Sequence, residues 1–497
     1  MQISVRSRTT LPILAAICLL GLVLRLALAL RYPGVAHPDE TFQYLEQANR
    51  VVTGRGMIPW EYIAQVRSWL IPGLLVPVIA IVRSMSITPD ATNLAIAVTS
   101  SLLSLAVIVS AFVLSPRENG TFGALCTACL VAFWPEILYL SPHILPDTLS
   151  AVTLISGLAF GYRNAPTDRA LAASGFFLAI TVLLRPQLAP AVMIAWFWIG
   201  GFADWRRYIP LAISGLMAVT IFGLIDWLTL GAPFQSIYRY VVANSAGVAS
   251  SFGVSNNRYY IGSEADLWGF ALVPIIFTAV LGARRSPLIA VVGAVILLTF
   301  SLVGHKEDRF IYPAIPLVFI LCGIGTGEII NNWRVRTRGR KHWVINAVAL
   351  SLWACTALYV GAWPAMAVRF QKGAGTLSAI HLINGDPSIC SVAVDPPSGW
   401  WRTGLIRFRQ DLKLYELGDP PLAGPQAYNA ILSLPAASRG AEYRSAGFVP
   451  AGCFTAGERA CLFRRASLCN PKLGHLLGAA PDEGVVRVLK RIGFPSQ

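Results

Sequence analysis

Charge is scarce in this chain. Asp, Glu, Lys and Arg make up 13% of its 497 residues, where a soluble domain usually carries about 25%. Apolar residues fill the gap: 55% of the chain is hydrophobic, and mean hydropathy is +0.59. Apolar runs recur at close to the ~20 residues that a bilayer crossing needs. The composition therefore excludes a soluble globular protein and indicates a polytopic helical membrane protein. Other absences narrow the class. The net charge of +15 is not gathered into a basic patch interleaved with exposed aromatics, so no nucleic-acid partner is expected. Much of it sits in short loops between apolar runs, as the positive-inside rule requires. No small-residue cleavage site follows the run Leu11 to Leu30, which therefore reads as a first helix with Arg6 and Arg8 on its cytoplasmic side rather than as a cleaved signal. No convincing internal repeat is present, which weighs against a transporter or flippase, the main rival from another class. No ligand spacing indicates a metal, and no cofactor is expected.

Candidate spans lie at 10–30, 91–115, 121–140, 148–162, 171–184, 187–203, 209–230, 268–283, 287–304, 311–330 and 344–367, about eleven crossings of bilayer length. With the N-terminus inside, the inner loops carry Arg117, Arg163, Arg169, Arg206, Arg207, Arg284, Arg285 and the dense run WRVRTRGRKHW from Trp333. The same assignment puts every acid-rich or histidine-bearing cluster outside. Residues 69–84 are apolar enough to span, but the run is short and contains Pro72 and Pro77. It reads as a re-entrant or surface helix within a first outside loop of residues 31–90, the alternative being a true short span with another break elsewhere.

After residue 367 no membrane-length run remains. Residues 368–497 show short alternating stretches, SVAVD, LKLYEL and YNAILSL, between Pro- and Gly-rich turns. These predict strands in a small extracytoplasmic mixed α/β domain. The domains expected are thus 1–367, membrane and catalytic, and 368–497. Cys18, Cys126, Cys129, Cys322 and Cys355 fall in spans as small apolar fillers. Cys390, Cys453, Cys461 and Cys469 form an even set outside, where disulfides are favoured. Cys453–Cys461 is the pairing that would close a hairpin, and the spacing matches no strong zinc pattern.

Polar clusters break the apolar background at a few places. His37-Pro38-Asp39-Glu40 follows the first span, with Gln43 and Tyr44 close behind. Two adjacent acids there either cap a helix, where carboxylates favour the dipole, or do chemistry. Trp60-Glu61-Tyr62 and Arg67-Ser68-Trp69 share the loop; an aromatic belt accounts for the two tryptophans better than for Glu61. His143 and Asp147 lie at the outer end of the third span, where Asp147 is also placed to cap the fourth. Arg185 sits in a sharp Arg-Pro turn, and Asp226 near the outer end of its span. His305-Lys306-Glu307-Asp308-Arg309 is the densest group; it is either a self-neutralising loop or a cationic site suited to a phosphate.

One reaction needs such parts. Sugar transfer from a lipid-linked phosphosugar requires a carboxylate to accept the proton of the acceptor hydroxyl and cations to neutralise the departing phosphate. An apolar groove would hold the lipid tail. A single displacement would invert the anomeric carbon.

HPDETFQ after the first span, WEY and RSWL in the first outside loop, and HKEDRFIYPAIP later, in that order, resemble the Alg9-like, GPI-type mannosyltransferases of glycosyltransferase family 22. The resemblance covers about residues 10–330. It implies a GT-C fold, a polyprenyl (dolichyl-type) phosphate mannose donor and a glycan or glycolipid acceptor. Asp39 aligns with the catalytic acid of the first luminal loop and is expected to be the general base, with Glu40 second. Substrate contacts are expected from His37, Gln43, Trp60, Glu61, Arg67, His143, Asp147, Arg185, Asp226, Asn244, His305, Lys306, Glu307 and Arg309. The sequence departs from the family where Leu-Pro-Asp stands for the Leu-Pro-Asn or Leu-Thr-Asn expected. Transfer of aminoarabinose or arabinose by a related GT-C enzyme stays open. A bacterial inner membrane with the site on the periplasmic side is the expected setting, or the endoplasmic reticulum membrane in a eukaryote.

Overall fold

A computed structural model describes residues 10–495, apart from 86–87, 164, 202–203, 337–341, 396–403, 418–426, 435–438, 468, 471–475 and 478–482. The centre of the basic run after Trp333 lies outside the described residues. The chain divides into two compact units. The first comprises Met1–Ala27, Thr99–Phe234 and Ala249–Ala367; the second comprises Leu28–Val98, Gln235–Val248 and Val368–Gln497.

The first unit is helical. Each candidate span within it is occupied by helix, but several are divided. Across the described residues of both units, six helices are long and apolar enough to cross a membrane, including Thr10–Arg31, Trp205–Leu230 and Asp308–Arg336, and three further apolar helices are shorter. Length and apolarity thus do not reproduce about eleven full crossings. Large apolar side chains face outward: Leu228 is 82% exposed and Phe270 84%. That is costly against water and ordinary against lipid. Asp308–Arg336 runs through the interior, with 89% of its apolar window buried. Small residues let it approach its neighbour Leu272–Arg285: a Cβ on Gly325 would collide with the Thr278 carbonyl, and one on Gly282 with that of Leu321.

The candidate span 121–140 breaks into Gly120–Phe133 and Pro135–Leu140 because Pro135 cannot continue the helix. The break leaves carbonyls without intrahelical partners. Arg25, fully buried in the first helix, supplies one donor: Nη1 bonds Ala132 O and Gly21 O, each at 2.9 Å, and Nε bonds Ser104 Oγ at 3.1 Å. A cation deep in an apolar run is thereby explained as the partner of a broken helix.

The second unit is built on a five-stranded sheet: β1 Val392–Asp395, β2 Leu414–Glu416, β3 Ala430–Ser433, β4 Val449–Phe454 and β5 Ala460–Arg464, in spatial order β2-β1-β3-β5-β4. The three alternating stretches read from sequence are β1, β2 and β3. β1 runs parallel to β2 and β3, while β5 is antiparallel to β3 and β4. Side chains alternate with period two. Val392, Val394, Leu414, Leu432 and Leu462 face one core with Ile380 and Ile383; Ala393, Tyr415, Ile431 and Phe463 face another with Tyr443 and Phe448. Phe42 and Met57, far upstream, enter the first core, which anchors the HPDE segment on the sheet. Cys453 pairs with Cys461 across the β4–β5 hairpin, as expected, and Cys390 with Cys469. The run at 69–84 is one helix, Leu70–Ser84. Pro72 falls in its first turn, where no N–H is needed, so only Pro77 interrupts its bonding.

Candidate active site

In the second unit, Pro38-Asp39 opens a turn that continues as a π-helix over Glu40–Leu45 and an α-helix over Glu46–Thr53. A π-turn is rare and concentrates at functional sites. Gln47 Nε2 adds bonds to Phe42 O at 2.7 Å and to Met57 O, beyond the turn, at 2.9 Å. The capping alternative for Asp39 fails: its backbone is already helical and its side chain makes no capping hydrogen bond. The carboxylate is 21% exposed, with Oδ1 at 3.4 Å from His37 Nδ1. The same ring nitrogen accepts the Asp39 amide proton at 3.2 Å. While it does so it has no proton for the carboxylate, so an Asp39–His37 ion pair forms only when the ring protonates and gives up the amide bond.

The wide turn brings three of the expected residues together. Gln43 Nε2 donates to Glu61 Oε1 at 2.7 Å, and Gln43 Oε1 accepts from Arg67 Nε at 2.9 Å and Tyr44 OH at 3.1 Å. Tyr62 OH donates to Gln43 O at 2.8 Å. Burial first, and the Asp39 charge second, push Glu61 up to about 7. Arg67 stays charged. Burial opposes it, but Tyr44, Tyr240, Asp39 and Glu61 together hold it above the ordinary value. Its guanidinium lies 5.2 Å from the Tyr240 ring centroid. Glu40 is buried, within the electrostatic reach of Arg407. Trp60 and Tyr240 each pack against a buried cluster that includes Val485 and Leu489. Asn244 donates Nδ2 to Tyr240 O of its own helix at 2.8 Å.

The first unit holds a second cluster. Asp147, fully buried, lies 2.5 Å from Arg185 Nη2 and 3.5 Å from Arg309 Nη1. Arg309 Nε donates to Glu307 Oε2 at 2.7 Å, and His305 Nε2 is 3.0 Å from Glu307 Oε1. The Glu307 bond raises the His305 pKa despite burial. Arg185 stands over the Phe310 ring at 4.4 Å and over Phe300 at 5.6 Å, which fixes the plane of its fork. Glu307 and its neighbours do neutralise one another within the loop. Yet Arg309 is buried and reaches back to Asp147, which a solvated connector would not do. Lys306 donates to Val303 O and is itself buried. Asp308 accepts from Tyr259 OH at 2.9 Å and Ser263 Oγ at 2.8 Å. His143 packs edge-on to Tyr139, and its carbonyl accepts from Ser100 and Thr148. Asp226 is fully buried in the helix Tyr208–Leu230. Among the described residues no group of three or more His, Cys, Asp or Glu is arranged to hold a metal ion.

The pattern of the Alg9-like mannosyltransferase family matches residues 16–375. The chain belongs to that family. It is 26% identical over 382 residues to GPI mannosyltransferase 3 of Yarrowia lipolytica, covering 74% of this chain and 70% of that one. It is 24% identical over 315 residues to GPI alpha-1,2-mannosyltransferase 3 of Mus musculus, covering 60% of this chain. The match spans only 56% of the mouse protein's length. The fold is similar to ArnT from Cupriavidus metallidurans bound to undecaprenyl phosphate, with a TM-score of 0.60 at 12% identity, covering 92% of this chain and 99% of that one. Family and fold make this a membrane glycosyltransferase of the GT-C type. The Leu-Pro-Asp departure from the family pattern has a physical counterpart here, since Asp147 is the carboxylate that meets both Arg185 and Arg309.

Tyr240, Glu46 and Arg407 were not among the residues expected from sequence. Tyr240 and Arg407 lie far along the chain from the HPDE segment, and no local spacing marks them. Glu46 reads as a helix-surface acid until the fold buries it.

Proposed function

We propose that the enzyme transfers mannose, with inversion, from a polyprenyl phosphate to a hydroxyl of a glycan or glycolipid at the extracytoplasmic membrane face. Asp39 accepts the acceptor's hydroxyl proton as that oxygen forms its bond to C1 of the sugar. The bond from C1 to the phosphate oxygen breaks, and the electron pair leaves with the phosphate. Cations neutralise the phosphate charge that develops; within the first unit, Arg185 and Arg309 form a pair suited to an anion. Glu61, Gln43 and Arg67 hold the surroundings of Asp39. The observation that carries this reading is Asp39: a partly exposed carboxylate, not used as a helix cap, on a π-turn whose following residues are locked into a buried polar network. The likeness to a protein that binds undecaprenyl phosphate supports a polyprenyl phosphate as donor lipid. The disulfides of the second unit support an oxidising compartment. Residues 69–84 follow as a short helix at the membrane surface or re-entrant into it.

The test uses the purified full chain in detergent with polyprenyl-phosphate mannose and a mannoside acceptor. Asp39→Asn lowers transfer by about 10²–10⁴-fold with donor binding retained. Equal transfer by both proteins removes Asp39 from the mechanism. Transfer of a polyprenyl-linked pentose or aminoarabinose, and not of mannose, reassigns the sugar. A cysteine introduced within residues 36–60 reacts with an impermeant thiol reagent from outside intact cells; labelling from inside only overturns the proposed face.

A further inference from the structure

The segment Gly404 to Arg407 lies against the helical turn that carries Asp39, all within the second unit. Glu46 is fully buried, and each of its carboxylate oxygens accepts a backbone N–H: Oε1 from Ile406 at 2.7 Å, Oε2 from Met57 at 2.8 Å. Arg407, also buried, donates from Nη2 to Thr41 Oγ1 at 3.2 Å and from Nη1 to Asn93 Oδ1 at 3.3 Å. Its charge faces Glu40 and Glu46. Arg83 Nη2 donates to Ile406 O and to Asn49 Oδ1, each at 3.3 Å. Gly404 has φ +94°, and a Cβ there would collide with Thr41 Cγ2 and lie 3.2 Å from Glu46 Oε1. The approach is therefore close enough to require glycine on conformational and steric grounds.

Burying a carboxylate and a guanidinium costs more than an apolar contact between the same segments would. What the charges add over apolar packing is direction: each fixes named backbone or hydroxyl atoms on either side of the π-turn. Thr41 lies at its start and Glu46 just past its end. A π-turn replaces the i→i+4 bonds of an α-helix with i→i+5 bonds, such as Glu46 N–H to Thr41 O, a rarer geometry that its surroundings must hold in place. We propose that Glu46 and Arg407 are positioning residues, which lock the π-turn Glu40–Leu45 against the 404–407 segment and so set where Asp39 presents its carboxylate. This rests on the reading of Asp39 as the base. It gives the region after residue 367 a part in the transfer step, through the turn rather than through contact with substrate.

The experiment compares full-length wild type with Thr41→Val, Thr41→Ser and Glu46→Gln in detergent. Valine keeps the shape of Thr41 and removes the hydroxyl; glutamine at 46 sets an NH₂ against a backbone N–H. Two quantities are read: hydrogen–deuterium exchange of the amides of residues 40–46, and transfer kinetics from dolichyl-phosphate mannose to octyl α-mannoside. In Thr41→Val and Glu46→Gln, exchange in the turn accelerates about tenfold, and kcat falls about tenfold while KM for the donor stays within about twofold. Thr41→Ser, which keeps the hydroxyl, restores both. Unchanged exchange overturns the proposal, and so does faster exchange with unchanged kcat. Wild type that transfers no mannose refutes the mannosyl reading instead, and the exchange arm then decides the tether by itself: acceleration in both variants supports it, and none removes it.

Discussion

Replacing Asp147 with Asn separates a structural ion pair from an anion site. Asp147 lies within reach of both Arg185 and Arg309, and it is fully buried. Removing one partner of a buried ion pair leaves the other charge uncompensated, at about 3–5 kcal/mol. If the two guanidiniums serve only to hold the fold, that loss is permanent. If they form the phosphate site, a lipid phosphate supplies the missing negative charge. Saturation at a hundredfold excess over Kd returns about 2.7 kcal/mol, which offsets most of the loss. Wild type already has Asp147 opposing an incoming anion, so it binds the phosphate less tightly and gains less at the same lipid concentration. The measurement is thermal unfolding of the detergent-solubilised protein, with undecaprenyl phosphate or the uncharged polyprenol at equal concentration. Asp147→Asn should melt well below wild type and regain most of the difference with the phosphate alone. Arg185→Met, which removes the better placed cation, should show little gain. Equal gains by wild type and Asp147→Asn, or equal gains with the uncharged lipid, would refute the assignment of Arg185 and Arg309 to the phosphate.

Three other outcomes follow from the second unit. Burial lifts the Glu46 carboxyl from 4.5 to about 7, against the opposing pull of its backbone bonds and of Arg407 and Arg50. The folded state thus holds the proton more tightly than the unfolded chain. The associated stability is fully present below about pH 4.5 and is lost as pH rises through about 7, by up to about 3 kcal/mol. Glu46→Gln should flatten that part of the pH dependence of the melting midpoint between pH 5 and 8; an unchanged profile would assign the titration elsewhere. Loss of the Cys390–Cys469 bridge, with sequence separation 79, should destabilise the unit by about 4.5 kcal/mol on loop-closure grounds. Loss of Cys453–Cys461, with separation 8, should cost about 2.5 kcal/mol, and serine double variants followed by limited proteolysis of the sheet would rank the two.

What the sequence made legible depended on how local the cause was. A bilayer crossing needs only length and apolarity, so the helices could be read off their runs. Their interruptions needed three dimensions: Pro135 marks a break, but nothing in the sequence says that Arg25, over a hundred residues earlier, donates to the buried Ala132 carbonyl beside it. The strands β1 to β3 were visible because period-two alternation is local. The Cys453–Cys461 bridge was visible because it closes a hairpin. His37 through Arg67 fall within one short loop, so Gln43, Glu61 and Arg67 could be grouped before the fold was known. Tyr240 and Arg407 reach the same unit from distant segments, and their residue types carry no signal by themselves.

Capping shows why such readings need the structure. Asp39 and Asp147 each follow a proline and open a helix, so for both the sequence offers an ordinary capping acid. Neither carboxylate serves that way. Asp39 sits on backbone that is already helical and makes no side-chain cap bond. At the start of Pro146–Gly161 the Leu145 N–H bonds Thr148 Oγ1 at 3.1 Å, which leaves the Asp147 carboxylate to meet Arg185 and Arg309. The position of an acid at a helix start is therefore not evidence of its role. The atom that satisfies the local N–H is, and at the two sites that atom is His37 Nδ1 and Thr148 Oγ1, not a carboxylate oxygen.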